Sequence, residues 1–538
     1  MIQIRKVFCF LKPFGWLTGL ALWLTFSGCN RELPVEKPGL PLIFIDFKGS
    51  VQNTGLLEVT FQGDGNVSYT QGIADSSLDL SISSQYRKPV IVQKDPLSFL
   101  SDYPGVTILL WTLSDSFDPY EYFILGQKDY FEEMGIRGWS IGKSALGSWK
   151  WWFSDGINAV DYAPTAWRQP LNDKKWHLIG FSLDYHQKEA RLFYDGKNVA
   201  VISLDNINLS ATGTPFYIGS DPLTSNPLMD TYNGKIDEVG IWSRALTEQQ
   251  VLAVYAAHRP DISLQAAEKP DSITFMTWNI GLGGRRDGRY VGVQRAAEVI
   301  QKSGADVVAI QELFGSGALL ADQLGFYFYQ RSTGIGVLSR YPIGKTYNVF
   351  KSQNAGAVNI EIPGYDAVVF CPVWLSYLPN TRAYISSGLA DPDTIIAREM
   401  ETRGVEMRYI LWELQSLINN KDHNPLVLAG DFNSGSHLDW TEANKEHYYG
   451  LVVDFPVTRF VQNSGFIDSY RAVHPNEAID RGFTWPLNFH EEFRDRLDFI
   501  YYTGSKLDVV RSSVVDTSSY DFFPSDHAAV LSTFMLKK

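Results

Sequence analysis

Five short segments in the second half of the chain place carboxylate, amide or imidazole side chains at or beside hydrophobic, strand-like runs. These side chains belong to Asn279, Glu312, Asp431, Asn433, Asp498, Asp526 and His527. A polar residue at a strand end often only makes a turn, so each residue alone is weak evidence of function. Five such segments together are a stronger signal, because strands of one fold can bring their ends to one sheet edge.

The chemistry of this set indicates a hard divalent cation and a phosphate ester. Oxygen ligands without cysteine favour Mg²⁺ or Mn²⁺ over zinc. Such a cation keeps open positions for phosphate oxygens and stabilises charge on the leaving oxygen. A histidine beside an aspartate, as in Asp526-His527, can act as a general base or bind phosphate as imidazolium. An Asp-x-Asn pair such as Asp431 and Asn433 can orient an attacking water. The set therefore predicts phosphate-ester hydrolysis.

The elements predicted around these residues are strands mixed with helices, which favour sheets covered by helices. The predicted strands cover residues 273–278, 307–310 and 425–429. A helix is predicted over 293–303, and a longer helical stretch over 398–418 has apolar residues at Val405, Tyr409, Trp412 and Leu417.

This ordered series of motifs resembles the endonuclease/exonuclease/phosphatase superfamily from about Ile273 to Phe534, and the resemblance implies an α/β four-layer sandwich. It implies that Glu312 is the principal ligand of Mg²⁺ or Mn²⁺ and that Asn279 and Asp526 belong to the metal shell. It also implies that Asp431 and Asn433 position water and phosphate. His527 would be the catalytic histidine, polarised by Asp498. Residues 334–343, Asp468 and Phe483-Thr484 match framework positions of the same family.

One position departs from that family pattern. Where many members place a histidine followed by leucine, this chain has Trp374-Leu375. An indole offers only an N–H donor and exchanges no proton at neutral pH. Tyr377 or an arginine of residues 382–408 could take over the contact with phosphate, and the sequence does not place them.

The first half of the chain has a different pattern. Residues 40–257 show short apolar or alternating runs between turn residues, which predict an antiparallel β-sandwich. Asp195-Gly196 predicts a tight hairpin, and Thr247 is expected to cap a helix over 248–255. Trp149 and Trp151 would share one face of a strand, either as core or as a sugar-stacking platform.

Two stretches of this region, 175–197 and 234–247, resemble laminin-G-like, concanavalin-type jelly rolls. The resemblance implies a binding or spacing module for a glycan or protein ligand. Some such domains hold a structural Ca²⁺, to which Asp46 and Asp237 could contribute oxygens. The alternative for Asp237 is that it only caps a turn.

The N-terminal residues resemble the export signal of a bacterial lipoprotein. Residues 1–28 combine basic residues with an apolar run shorter than a membrane span, and small residues precede Cys29. The resemblance implies that Cys29 is acylated and anchors the protein to a membrane through a tether of residues 29–39. It predicts a location in the cell envelope, in the outer membrane of a Gram-negative bacterium. The alternative is an uncleaved membrane anchor.

Length and composition limit the remaining choices. A chain of 538 residues is too long for one ordinary domain. We expect a β-sandwich over 40–257, a linker over 258–271 and a second domain over 272–538. The net charge of −13 is the wrong sign for gripping polyanions, so a nucleic-acid partner is not favoured. With three cysteines, metal binding by cysteine is excluded as a main theme.

Two hypotheses follow from the sequence. The favoured one is an exported, lipid-anchored, metal-dependent phosphoesterase acting on a phosphodiester or phosphomonoester. The alternative is a non-catalytic surface lipoprotein that binds glycan or protein and carries an inactive phosphatase-like scaffold. Glu312, Asp431, Asn433, Asp526 and His527 favour the enzyme, and Trp374 favours the alternative.

Overall fold

The computed structural model describes residues 36–537 except 64–66, 115, 132–134, 225–230, 260–268, 488–493 and 521. The predicted signal segment, Cys29 and most of the predicted linker lie outside these residues. Residues Val35–Lys538 form one compact unit. Within the described ranges, no helix has both the length and the apolar character that a membrane crossing requires.

The first half is a sandwich of two antiparallel sheets, as predicted. Its strands are β1 (Ile43–Asp46), β2 (Gln52–Asn53), β3 (Phe61–Gln62), β4 (Ser68–Gln71), β5 (Ser76–Asp79), β6 (Val90–Val92), β7 (Gly105–Leu113), β8 (Tyr122–Phe131), β9 (Gly135–Lys143), β10 (Trp149–Asp155), β11 (Ala159–Tyr162), β12 (His177–Asp184), β13 (Glu189–Tyr194), β14 (Lys197–Ser203), β15 (Phe216–Ile218) and β16 (Lys235–Trp242). One sheet has the order β2-β1-β16-β7-β12-β13-β14, with β5 and β4 also joined through β16, and the other has the order β11-β10-β9-β8-β15-β6-β3.

Local signals of the sandwich are confirmed. Asp195 and Gly196 have φ of 49° and 81°, the left-handed values that a two-residue hairpin between β13 and β14 requires. Thr247 caps helix α1 (Glu248–Ala256) in a reciprocal capping box with Gln250.

The burial of the tryptophans in β10 shows which of their two predicted roles, core packing or sugar stacking, is correct. Trp149 and Trp151 are both fully buried in the hydrophobic core, so a sugar platform built on their rings is wrong. Burying such large apolar rings between the sheets stabilises the sandwich more than exposing them would.

The second half consists of two further sheets with helices outside. Its strands are β17 (Ser272–Asn279), β18 (Val307–Gln311), β19 (Tyr327–Gln330), β20 (Ile335–Ser339), β21 (Ile343–Tyr347), β22 (Ala357–Ile360), β23 (Val368–Trp374), β24 (Leu426–Asp431), β25 (Ile467–Asp468), β26 (Asp498–Thr503), β27 (Leu507–Val515) and β28 (Ala529–Leu536). Its helices are α2 (Val291–Ser303), α3 (Gly317–Leu324), α4 (Thr381–Ser386), α5 (Pro392–Glu401), α6 (Arg403–Glu413), α7 (Gln415–Asn419), α8 (Pro456–Asn463) and α9 (Ser469–Val473).

The two sheets of this half pack face to face. One has the order β19-β20-β18-β17-β28-β27, and the other has the order β21-β22-β23-β24-β26-β25. Phe275 of the first sheet stacks on Phe370 of the second, with ring centroids 5.2 Å apart. Helices α2 and α3 cover the outer face of the first sheet, and α6 and α8 cover that of the second. The predicted four-layer sandwich is confirmed.

The predicted helical stretch over 398–418 is helical in the structure, although it is not one continuous helix. The stretch is divided among α5, α6 and α7, and Val405, Tyr409 and Trp412 are exposed. Positions 403–418 have a second apolar face with the same helical spacing, through Met407, Ile410, Leu414 and Ile418, and this face is buried. The more aliphatic face packs on the sheet because it fills the core more closely.

The two halves share a sheet. Strand β14 of the sandwich pairs in parallel with β19, so the sheets continue into each other. Buried Arg331 reaches across this junction, donating to Ser203 Oγ at 3.0 Å and to the Asp205 carboxylate, while its Nε donates to the carbonyl of Ala355 at 2.9 Å. Independent folding of residues 272–538 stays a prediction, and this junction is the contact such a fragment would lose.

Candidate active site

The predicted site residues lie at one edge of the two packed sheets. Asn279 ends β17, and Glu312 directly follows the parallel neighbour β18. In the other sheet, Asp431 ends β24 directly opposite Asp498, the first residue of β26. His527 lies in the loop before β28, which pairs with β17. The strand registers therefore bring together side chains that are separated by up to about half of the chain.

Asn279 joins the two acidic parts of the site. Its Nδ2 donates to Glu312 Oε1 at 3.2 Å and to Asp431 Oδ2 at 3.1 Å. Glu312 Oε2 accepts from the backbone N–H of Leu282 at 2.7 Å. Glu312 has a left-handed backbone, φ 55°, which is unfavourable for a non-glycine residue, and strained backbone of this kind tends to cluster at functional sites.

Asn433 holds the Asp431 carboxylate. Its backbone N–H donates to Asp431 Oδ1 at 2.9 Å, and its Nδ2 donates to Asp431 Oδ2 at 3.2 Å and to the carbonyl of Leu375 at 3.0 Å. Both N–H bonds of the carboxamide are thereby engaged. Asn433 therefore orients the Asp431 carboxylate. The side-chain oxygen of Asn433 is then the atom of that carboxamide that could contact a ligand.

His527 and Asp498 form a buried pair. The Nδ1 atom of His527 lies 2.9 Å from Asp498 Oδ2. The backbone N–H of Asp498 donates to Thr484 Oγ1 at 3.2 Å, so the framework position Thr484 supports the pair directly. Trp278 Nε1 donates to the carbonyl of His527 at 3.0 Å. These bonds orient the imidazole with Nε2 as its remaining nitrogen.

The buried charges of the site shift one another's pKa values. Burial, together with the facing charge of Asp498, raises the pKa of Asp431 to about 7. Burial disfavours charged His527, but the charge and hydrogen bond of Asp498 outweigh burial, and the pKa of His527 rises to about 9. Burial also acts on Asp526, yet the charges of His527 and Arg286 lower its pKa. Opposed shifts of this kind are typical of catalytic sites.

A cleft of about 500 Å³ collects most of these side chains. It is lined by Asn279, Glu312, Asp431, Asn433, Asp526 and His527, and on its far side by residues of 374–403. Asp526 Oδ1 pairs with Arg286 Nη2 at 2.8 Å at the rim. Asp498 lies behind His527 and does not line the cleft. All seven predicted site residues are therefore in the cleft or bonded to a residue that is.

The departure at Trp374 falls inside this cleft. Trp374 is the parallel partner of Asp431 in the sheet register, and its ring packs edge-on against Phe314 with centroids 6.1 Å apart. The indole forms part of the cleft wall.

The donor set fits a hard divalent cation. Glu312 and Asp526 line the cleft with carboxylate oxygens, and oxygen ligands suit Mg²⁺ or Mn²⁺. The carboxamide oxygen of Asn279 accepts from the backbone N–H of Gly281 at 3.0 Å, so it would have to be shared with a cation. Within the described ranges, Asp431, Asp498 and His527 also bring ligand atoms within 4.8 Å of one another. Because His527 Nδ1 and Asp498 Oδ2 already bind each other, the Glu312 side offers the carboxylate oxygens that are free of this pair. Burial, with the facing charge of Asp498, raises the pKa of Asp431, and a cation nearby would favour the charged form of this carboxylate.

Several residues of the site have no clear signal in the sequence. Trp485 Nε1 donates to Asp526 Oδ2 at 3.3 Å, and the Trp485 ring lies 5.9 Å from that of His527. The guanidinium of Arg382 lies over the same indole, 4.3 Å from the ring centroid. For Arg382, the sequence offered one indication: with Trp374 in place of a histidine, an arginine of residues 382–408 could make the contact with phosphate.

The predicted Ca²⁺ site of the sandwich is not tested by these contacts. Asp237 accepts from the backbone N–H groups of Ile73 at 3.0 Å and Glu238 at 2.9 Å, as a turn-capping residue does. Burial raises the pKa of Asp237 to about 6. Asp46 pairs with Lys48 at 3.6 Å. Ca²⁺ binding by Asp46 and Asp237 stays a prediction.

Comparison with known proteins agrees with both halves of the fold. Residues 276–527 match the model of the Endonuclease/Exonuclease/phosphatase family. Residues 93–252 match the model of the Concanavalin A-like lectin/glucanases superfamily. An uncharacterized protein of Caenorhabditis elegans is 29% identical over 294 residues, which cover 49% of this chain and 90% of that protein.

Solved structures resemble the chain over about half of its length. A truncated Caenorhabditis elegans TDP2 matches with a TM-score of 0.36 and 18% identity over 49% of this chain and 97% of that chain. An endonuclease/exonuclease/phosphatase from Beutenbergia cavernae matches with a TM-score of 0.34 and 20% identity over 50% and 72%. Danio rerio TDP2, solved with a single-strand DNA product, matches with a TM-score of 0.34 and 16% identity over 49% and 99%.

The fold and the family matches define the class of this protein. It is a multidomain chain in which a concanavalin-like β-sandwich precedes an endonuclease/exonuclease/phosphatase domain. The resemblances found in the sequence are thereby confirmed for both regions.

Proposed function

We propose that the protein is a metal-dependent phosphoesterase that hydrolyses a phosphodiester or phosphomonoester. The observation that carries the proposal is the joint presence in one cleft of Glu312 and Asn279, of Asp431 held by Asn433, and of His527 backed by Asp498. These parts suffice for positioning a phosphoryl group, a water molecule and a charge-stabilising cation.

The chain's own residues have distinct roles in this proposal. Glu312, with Asn279 and Asp526, would hold Mg²⁺ or Mn²⁺, which when bound stabilises charge on the phosphoryl and leaving oxygens. Asp431 orients the attacking water and accepts its proton. The water oxygen forms the new bond to phosphorus as the ester oxygen leaves, and His527 Nε2 donates a hydrogen bond to the phosphoryl group.

We favour a small or lipid-borne ester over a nucleic acid. The cleft is bounded on one side by α4 and its neighbours, and the protein has a net charge of −13. Duplex binding normally draws on extended basic surfaces. We therefore do not propose a nucleic-acid substrate, and the assay below includes DNA to test for one.

The location belongs to the same proposal. A protein acylated at Cys29 would work at the cell envelope, in the outer membrane of a Gram-negative bacterium, with the β-sandwich binding a glycan or protein or spacing the enzyme from the membrane. The support is the sequence of residues 1–39 and the sandwich fold of the first half.

A panel assay tests the activity. The purified full chain without residues 1–28 is incubated with bis-p-nitrophenyl phosphate, DNA, inositol phosphates or sphingomyelin, each with Mg²⁺, with Mn²⁺ and with chelator. We expect cation-dependent hydrolysis of at least one phosphoester. No hydrolysis of any member would replace this proposal with the non-catalytic surface protein.

A further inference from the structure

An arginine outside the family motifs lines the cleft that holds the proposed reaction centre. Arg382, the second residue of α4, lines the same cleft as His527 and Asp526. Its guanidinium carbon is 4.3 Å from the Trp485 ring centroid. That indole donates to Asp526 and packs near the His527 ring. One aromatic ring therefore connects Arg382 to two proposed site residues.

The helix that presents Arg382 is clamped by a buried polar network. Thr381 Oγ1 donates to Glu399 Oε1 at 3.2 Å and accepts from Arg403. Arg403 Nη1 also donates to the carbonyl of Ser376 at 3.0 Å. Thr381, Glu399 and Arg403 are all buried. Because the first residue of α4 is held in this way, its neighbour Arg382 has a defined position above Trp485.

Carboxylates outnumber cationic side chains in the lining of the cleft. Carboxylates of Glu312, Asp431 and Asp526 line it, together with Trp374 at the position where the family resemblance predicts a histidine. The indole donates one uncharged hydrogen bond at most. A phosphoryl group in this cleft would therefore be bound more tightly if a second cation stood beside His527.

We infer that Arg382 binds a non-bridging oxygen of the substrate's phosphoryl group and supplies the charged contact that Trp374 cannot make. A guanidinium lies face-on over an aromatic ring and keeps its N–H bonds in its own plane, where they suit phosphate oxygens. Trp485 positions Arg382 in this arrangement. The inference rests on the proposed phosphoesterase, whose site it completes.

The experiment measures binding of inorganic phosphate to the full chain with Mn²⁺ by calorimetry. Arg382→Gln should weaken phosphate affinity roughly 10- to 100-fold, the size of one lost charged hydrogen-bond contact. Arg382→Lys should lose several-fold, because it keeps the charge and loses the planar fork. Arg398→Gln is the matched control, since the Arg398 guanidinium lies 4.2 Å over Tyr384 and outside the cleft. It should leave phosphate affinity unchanged.

The outcomes separate this inference from the proposed function. If the wild-type protein hydrolyses no ester and Arg382→Gln still weakens phosphate binding, the proposed function fails while the phosphate contact of Arg382 is upheld. If the wild-type protein hydrolyses a phosphoester but Arg382→Gln matches Arg398→Gln in phosphate affinity and KM, the inference is overturned. The same conclusion follows if the wild-type protein binds no phosphate. Should Arg382→Gln lower the melting temperature, the folded Arg382→Lys variant decides, and unchanged affinity would reject the inference.

Discussion

His527 Nδ1 lies 2.9 Å from Asp498 Oδ2, while the second oxygen of Asp498 has no hydrogen-bond partner among the residues described. A buried carboxylate with an unsatisfied oxygen is costly, and the charge of the imidazolium is what offsets that cost. The pair therefore orients His527 strongly and makes it the most directly testable part of the site.

The first prediction concerns this pair. His527→Ala should lower kcat by about 10²–10⁴-fold, the usual effect of losing a group that acts on the proton or on the charge of the transition state. Manganese affinity measured by calorimetry should stay nearly unchanged, because His527 is not assigned to the cation. His423→Ala, at an exposed position outside the cleft, serves as control. A parallel loss of metal affinity would show that His527 is a ligand.

The second prediction separates the cation from the chemistry. Glu312→Gln should weaken Mn²⁺ binding by at least about tenfold and lower the rate as well, since the cation loses its main charged ligand. Glu298→Gln, an exposed residue paired with Lys302, is the control and should change neither quantity. Unchanged Mn²⁺ affinity in Glu312→Gln would move the cation to the Asp431, Asp498 and His527 group.

The third prediction addresses Trp374. If the indole only stands in for a phosphate-contacting histidine, Trp374→His should keep or raise kcat/KM on bis-p-nitrophenyl phosphate. The new imidazole would lie beside Asp431, its register partner. Loss of activity at an unchanged melting temperature would mean that the indole forms a substrate pocket particular to this protein.

The fourth prediction tests the junction between the two halves. Arg331→Met removes the buried member of an ion pair whose partner Asp205 is partly exposed, and we expect a cost of up to about 3 kcal/mol, below that of breaking a fully buried pair. Thermal unfolding should therefore begin at a clearly lower temperature. Arg340→Ala breaks the exposed pair with Asp306 and should cost less than about 1 kcal/mol. Equal melting temperatures in both variants would show that the junction contributes little.

The fifth prediction concerns the anchor. Cys29→Ser should move the protein from the membrane fraction to the soluble fraction, because a serine cannot receive the thioether-linked lipid. Fractionation after detergent-free washing, with detection by antibody, measures the change. Cys371→Ser is the matched control and should remain with membranes. Full membrane retention of Cys29→Ser would favour the uncleaved anchor.

Much of the fold could be predicted because its signals are local. Asp195-Gly196 and Thr247 determine a hairpin and a helix start through their own backbone preferences. Residues 398–418 show where local signals fail, since Val405 and Met407 lie on competing apolar faces of one helical pattern. Packing against the sheet determines which of the two faces is buried, and this packing depends on residues far away in the sequence.

The sequence by itself determined the chemistry of this protein: the residue types of the site, the preference for a hard cation and the missing histidine at Trp374. The tertiary structure alone decided which groups meet. Asp431 and Asp498 are 67 residues apart and become direct partners through strand register, and Arg382 reaches the site through Trp485, 103 residues further along the chain. Pairings of this kind depend on how distant strands and loops pack, because contacts between residues far apart in sequence form only when the whole core is in place.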